Sequence, residues 1–181
     1  MMRVIAGSAR GVKLEALPGE DVTRPTINRV KEAMFSSLQF QLPGAKVLDL
    51  FAGSGQLGIE ALSRGAAQCI MVDQNREAVE IITRNCKTAR VQNQAKVMMA
   101  QAQVYLNRLT DQFDIILLDP PYHQGILNQI LPRIAQVTAP GGSVICESEL
   151  DCPLPEECGG LVLKKQHRYG KVLVTRYEKG E

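Results

Sequence analysis

The chain has 181 residues, 45% of them hydrophobic, with a formal net charge of +2. That length suits one domain, and the apolar content is enough for a core, which excludes a disordered chain. No apolar run approaches the roughly 20 residues of a membrane helix, and Met1–Ser8 turns polar too soon for a secretory leader.

These features predict a cytoplasmic protein with no membrane contact. A monomer without a stable protein partner is expected. The five cysteines (Cys69, Cys86, Cys146, Cys152 and Cys158) include no C-x-x-C pair. Neither a disulfide framework nor a zinc site is indicated, and with two histidines and no acidic cluster beside them no metal is expected. Charge is uneven along the chain. Residues 1–46 hold seven Lys/Arg against four Asp/Glu, residues 47–160 eight against thirteen, and residues 161–181 six against two. Basic ends flank an acidic middle, a pattern that suits either ordinary solvated surface or a polyanionic partner.

In chain order, Arg3–Ala6 and Val12–Leu14 read as short strands about the turn Gly7–Gly11. Pro25 suits a helix start, and Ile27, Val30, Met34 and Leu38 form a helical stripe. Pro43-Gly44 closes that helix. Strands and helices then alternate. Strands are expected at 47–50, 69–72, 97–99, 114–118 and 144–146, and helices at about 56–64, 76–89, 104–109 and 126–135. The strand runs are continuous Val/Ile/Leu segments, as parallel strands covered on both faces require. Leu161–Leu163 and Val172–Val174 follow as a hairpin joined by a basic turn, Lys164–Lys171. The fold class is α/β: a doubly wound, mostly parallel, Rossmann-like sheet of seven strands, the last antiparallel. Residues 1–45 form an N-terminal extension and 46–181 the main domain, packed as one unit.

The turn Asp49-Leu50-Phe51-Ala52-Gly53-Ser54-Gly55 follows the first strand of the sheet. Its glycines let the backbone approach a ligand at a helix N-terminus. Asp73 comes 20 positions after Gly53, at the end of the next strand, where a carboxylate accepts ribose hydroxyls. Gly53–Gly58 also matches the dinucleotide pattern G-x-G-x-x-G. Asp49 argues against that reading, because its charge opposes a pyrophosphate and suits a cation. S-adenosylmethionine carries a sulfonium and an ammonium group and no phosphate, so Asp49 reads as a partner of its amino-acid end, directly or through water.

Asp119-Pro120-Pro121-Tyr122 ends the fourth strand at the sheet edge where ligands bind in open α/β folds. The two prolines stiffen the turn and remove two N–H donors. An amine conjugated to a planar ring is a poor nucleophile. Two acceptors on its N–H bonds orient it and free its lone pair. Asp119 and the Pro120 carbonyl are the candidates, with Pro121 shaping the turn and Tyr122 stacking on the ring. Methyl transfer then requires mainly positioning.

Asp119–Tyr122 resembles the signature of amino-methyltransferases acting on DNA, protein glutamine or RNA guanine. The whole chain resembles the small-subunit ribosomal RNA guanine-N2 methyltransferases, the RsmD family. Arg3–Gly7, Arg24-Pro25-Thr26, Arg29–Phe35, Asp49–Gly55, Leu57–Ala66, Asp73, Asp119–Tyr122, Glu147 and Tyr169-Gly170 carry that resemblance. It implies N2-methylation of a guanine in 16S rRNA, on a small ribosomal subunit or its assembly intermediate. It implies cofactor contacts from Asp49, Phe51, Ala52, Gly53, Gly55, Asp73, Gln74, Gln101, Ala102 and Asp119. Gln101 stands where relatives usually have Asp or Asn. The extension then faces RNA, with Arg10, Lys13, Arg24, Thr26, Arg29 and Arg168 as candidate contacts. The alternatives are a DNA adenine-N6 or cytosine-N4 methyltransferase, a catalytically silent rRNA-binding assembly factor, and a nicotinamide oxidoreductase.

Overall fold

The structure, a computed structural model, describes residues 2–20 and 25–181, with the backbone alone for Pro25 and Thr26. Helix α1 spans Pro25–Ser37. Four strand–helix steps follow, β1 Lys46–Asp49 and α2 Gln56–Ser63, β2 Gln68–Asp73 and α3 Arg76–Thr88, β3 Ala95–Met99 and α4 Ala102–Arg108, β4 Phe113–Leu118 and α5 Ile126–Val137, and then the strand β5 Thr138–Glu149. The chain ends with β6 Glu157–Cys158, β7 Leu161–Tyr169 and β8 Val172–Lys179.

All strands join one sheet in the order β3-β2-β1-β4-β5-β8-β7-β6. The first five are parallel, whereas β8 runs antiparallel to both β5 and β7. Val47, Leu48 and Ile115–Leu118 have no exposed surface, which explains their unbroken apolar runs. One core layer holds Met34, Phe35, Leu38, Ile59 and Ile82 on the α1, α2 and α3 side. The other holds Leu106, Leu131, Ile134 and Tyr177 on the α4 and α5 side. The doubly wound fold is borne out.

The sheet differs from expectation at its outer end. Among the described residues it has eight strands rather than seven, because the two-residue β6 pairs with β7. Lys164 to Arg168 do not form a basic turn. They lie within β7, and only Gly170 and Lys171 turn the chain, with Gly170 at φ 61°. Residues 164–168 are all exposed, so this stretch of an outer strand has the polarity of a loop.

The N-terminal segment also differs. Its two arms share hydrogen bonds from Val4 N–H to the Val12 carbonyl (3.0 Å) and from Leu14 N–H to the Met2 carbonyl (2.9 Å). Regular pairing is limited to the bridge between Arg3 and Lys13. The segment is fixed mainly by α2. The Glu60 carboxylate accepts the N–H groups of Ile5 (2.9 Å) and Ala6 (3.1 Å), and Ser63 Oγ accepts that of Ala9 (2.9 Å). A Cβ on Gly7 would lie 1.8 Å from the Ser63 carbonyl oxygen, so the close approach excludes any side chain there.

Candidate functional site: two clefts meeting at Asp119

The chain moves outward from β1 to β2 and β3, then returns to β4 beside β1. Strand order reverses between β1 and β4, and the loops there diverge to leave a crevice. A cleft of about 900 Å³ lies at these strand ends. Phe51, Ala52 and Gly53 line it after β1, Asp73 and Gln74 after β2, Gln101 and Ala102 after β3, and Asp119, Pro120 and Pro121 after β4. A second cleft of about 540 Å³ lies between α1, the ends of β4 and β5, and the β7–β8 turn. Ile27, Lys31, Tyr122, Glu147 and Tyr169 are among its walls. Gln56, Leu57 and Asp119 line both clefts.

The glycine turn is held by Asp73, whose Oδ2 accepts the Gly53 N–H (2.9 Å) while Oδ1 accepts that of Asn75 (2.9 Å). One carboxylate thus ties the turn after β1 to the turn after β2. Gly53 has φ 57°, and its missing Cβ leaves room beside Glu20 Oε1. Gly55 is not in the cleft wall. It starts α2 at φ 83°, and an added Cβ would press on Ile82 at 3.1 Å. Gln101 precedes α4 with an exposed side chain that makes no capping bond, and it faces the cleft.

Asp49 is buried behind the cleft wall. Its Oδ2 accepts the Gly58 N–H (3.0 Å), and its Oδ1 has no partner among the described residues. Burial pushes its pKa up to about 7, against the Gly58 hydrogen bond, with the nearby Asp73 charge adding to the rise. An unpartnered carboxylate oxygen here fits a cationic ligand and opposes an anionic one.

Asp119 is half-buried, and burial holds its carboxyl well above the usual carboxylate range. Glu147 raises it further, followed by Asp49 and Glu20. Pro120 is buried and Pro121 exposed. Tyr122 is 38% exposed, and its hydroxyl donates to Glu147 Oε1 (3.2 Å). Burial raises the tyrosine's pKa, with Glu147 the next cause.

The candidate RNA contacts are dispersed. Arg168 is exposed next to the β7–β8 turn, where its Nε donates to the Gly170 carbonyl (2.9 Å). Arg29 is exposed on α1 between Ile27 and Lys31, which line the smaller cleft. Lys13 is exposed on the N-terminal segment. Arg10 directly follows Ser8 and Ala9, whose N–H groups bond Ser63 at the end of α2 remote from the clefts. Arg24 lies outside the described residues, as does the side chain of Thr26.

Residues distant in sequence complete the site. Glu20 enters the larger cleft from the N-terminal segment, where its Oε2 accepts the Leu17 N–H (3.1 Å). Lys31 enters the smaller one although it is only 2% exposed. Its sequence signals were a charge beside a helical apolar stripe and its place within the family-like segment Arg29–Phe35. His123 is not remote from acids, contrary to the sequence reading: Glu149 and Asp151 have ligand atoms within 4.8 Å of it and of each other. β5 carries Glu149 to that position across the sheet edge, where it accepts the His123 N–H (3.0 Å).

The sheet order, the glycine turn at its reversal and the acid ending β2 define an α/β fold of the methyltransferase class. Residues 2–178 match the model of the family described as Conserved hypothetical protein 95, and the chain belongs to that family. It is 39% identical over 183 residues to YlbH of Bacillus subtilis, a protein named provisionally as an rRNA methyltransferase, covering 98% of this chain and 99% of that one. It is 32% identical to ribosomal RNA small subunit methyltransferase D of Escherichia coli K12 over 180 residues, 98% of this chain and 90% of that protein. The solved structure of Escherichia coli yhhF, described provisionally as a methyltransferase, superposes with a TM-score of 0.88 at 31% identity, covering 99% of this chain and 98% of that one. The family resemblance read from the sequence is borne out. No helix among the described residues is long and apolar enough to cross a membrane.

Proposed function

We propose that the protein transfers a methyl group from S-adenosylmethionine to the N2 amine of a guanine in small-subunit ribosomal RNA. The shared wall at Asp119 carries this reading, because a donor in the larger cleft and an acceptor in the smaller one meet at that carboxylate. The relatives' names support rRNA as the substrate. The guanine amine follows from the resemblance of Asp119–Tyr122 and Arg24-Pro25-Thr26 to the guanine-N2 enzymes.

S-adenosylmethionine supplies an electrophilic methyl group on a sulfonium. Asp73 suits its ribose hydroxyls, since each carboxylate oxygen spends one lone pair on a backbone N–H and keeps another. Phe51, Ala52, Gly53, Gln74, Gln101 and Ala102 wall the space around it. Asp49 Oδ1 suits the cationic amino-acid end, through a bridging water because Asp49 is not in the wall. Gly55 acts at one remove by permitting the start of α2.

Asp119 and the Pro120 carbonyl accept the two amine N–H bonds, and Tyr122 stacks on the base. A stacked base is worth about 1–3 kcal/mol in single-stranded sites. The raised pKa of Asp119 suits it to take the amine proton once the new N–C bond has formed. Basic side chains then grip phosphates; of the candidate contacts, Arg29 and Arg168 adjoin elements that line the acceptor cleft. Incubation with radiolabelled S-adenosylmethionine and either stripped small subunits or duplex DNA tests the reading. Label in small-subunit RNA supports it; label in DNA alone sinks it.

A further inference from the structure

Guanine, adenine and cytosine all carry a ring-conjugated amine, so an amine clamp cannot tell them apart. The ring nitrogens flanking the amine can. Guanine has an N–H donor at N1 beside its N2 amine. Adenine and cytosine have bare acceptor nitrogens flanking theirs. A second acceptor beside the amine clamp therefore selects guanine.

Glu147 stands where such a second acceptor is needed. Leu118 of β4 pairs in register with Cys146 of β5, so Asp119 and Glu147 are the next residues on adjacent parallel strands. Both line the smaller cleft. Glu147 Oε1 accepts the Tyr122 hydroxyl (3.2 Å), and among the described residues no donor reaches Oε2. No Lys or Arg among the described residues pairs with Glu147. Glu147 is half-buried, and its Oε2 is not one of the buried unpartnered atoms, so that oxygen is open to the cleft and can exchange water for a donor there. The same tyrosine that stacks on the base would hold this carboxylate in place, coupling base entry to its readout.

Resting on the guanine-N2 reading above, we propose that Glu147 is the specificity-determining residue of the acceptor cleft, accepting the guanine N1–H through its open Oε2 while Asp119 holds the N2 amine.

The test uses a base that keeps the amine and loses the neighbouring donor. 2,6-Diaminopurine has the 2-amino group, but its N1 is a bare acceptor. Oligonucleotide mass spectrometry first locates the guanine that the wild type methylates in small-subunit RNA. RNA carrying 2,6-diaminopurine at that position is then compared with the natural RNA by kcat/KM. The wild type is expected to prefer guanine by roughly 100-fold or more, because the analogue sets its bare N1 acceptor against the carboxylate acceptor once the base has displaced water. Glu147→Gln offers an amide N–H to the bare nitrogen, so the preference should fall at least about tenfold with S-adenosylmethionine binding retained. A wild type that uses both RNAs equally overturns the proposal, and this arm holds even if the variant fails to fold. A folded Glu147→Gln with undiminished guanine preference overturns it as well. No methylation of guanine by the wild type overturns the underlying reading and the inference with it.

Discussion

Lys31 Nζ lies 3.2 Å from Glu60 Oε2, and the two side chains are only 2% and 0% exposed. Lys31 also donates to the Arg3 carbonyl (2.9 Å), while Glu60 accepts from Ile5, Ala6 and Arg64. One buried pair thus joins α1, α2 and the N-terminal segment, and its lysine forms part of the acceptor cleft wall. Burial lowers the Lys31 pKa against the opposing effect of Glu60. Removing one partner leaves a buried charge uncompensated. Glu60→Ala is expected to cost about 3–5 kcal/mol in urea unfolding. A loss below about 1 kcal/mol would show the pair to be incidental.

Asp119 should be needed for chemistry more than for binding. Asp119→Ala is expected to lower kcat by roughly 100-fold or more while isothermal titration still registers S-adenosylmethionine. The wild-type acid limb should lie above the ordinary carboxylate range, because burial and Glu147 both raise this carboxyl. Activity is lost as pH falls through that ionisation. Removing the Glu147 charge should move the limb to lower pH in single-turnover measurements. An acid limb unmoved in Glu147→Gln would mean that the two carboxyls do not sense each other.

Asp49 predicts a pH dependence of stability. Its folded pKa is about 7 against an ordinary 3.8. A carboxyl raised on folding costs nothing below its unfolded value and its full penalty above the folded one. On this account stability of the ligand-free protein falls as pH rises from about 4 to about 7. Asp49→Asn should shrink the difference in Tm between pH 5 and pH 8, with loss of affinity for the methyl donor. An unchanged Tm difference would place the orphan oxygen in contact with water.

Asp73→Ala removes the acceptor for two backbone N–H groups and the expected ribose contact. Affinity for S-adenosylmethionine should drop by about 10–100-fold, at 1–3 kcal/mol for a buried hydrogen-bonding group. Calorimetric titration reads it directly.

Arg168 and Arg10 provide an internal comparison. Arg168 adjoins the turn that lines the acceptor cleft, whereas Arg10 lies at the far end of α2. Arg168→Ala should raise KM for RNA several-fold and reduce its salt dependence, with Arg10→Ala close to wild type. The reverse order would move the RNA track to the opposite edge of the sheet.

The parallel half of the fold was readable in the chain because burial on both faces demands unbroken apolar runs. Val47 and Ile115–Leu118 show that demand directly. The start of β7 at Leu161–Leu163 was readable but its continuation was not, since exposed Lys164, Lys165, His167 and Arg168 give that part the composition of a turn. The larger cleft was legible for a related reason. Most of its walls are residues that follow β1, β2, β3 and β4, so finding those strands finds most of the cleft, though not Glu20. The smaller cleft draws on α1, Glu147 and Tyr169, which no local motif connects. Glu147 stood out only as a family feature. Its place beside Asp119 depends on the pairing of Leu118 with Cys146, a register that the two segments alone do not announce.

The most direct measurement is mass spectrometry of nucleosides from small-subunit ribosomal RNA treated with the protein and S-adenosylmethionine. The account predicts N2-methylguanosine, absent when Asp119→Ala replaces the wild type. Methylation confined to adenine or cytosine amines, or none with an active methyl donor bound, would contradict it.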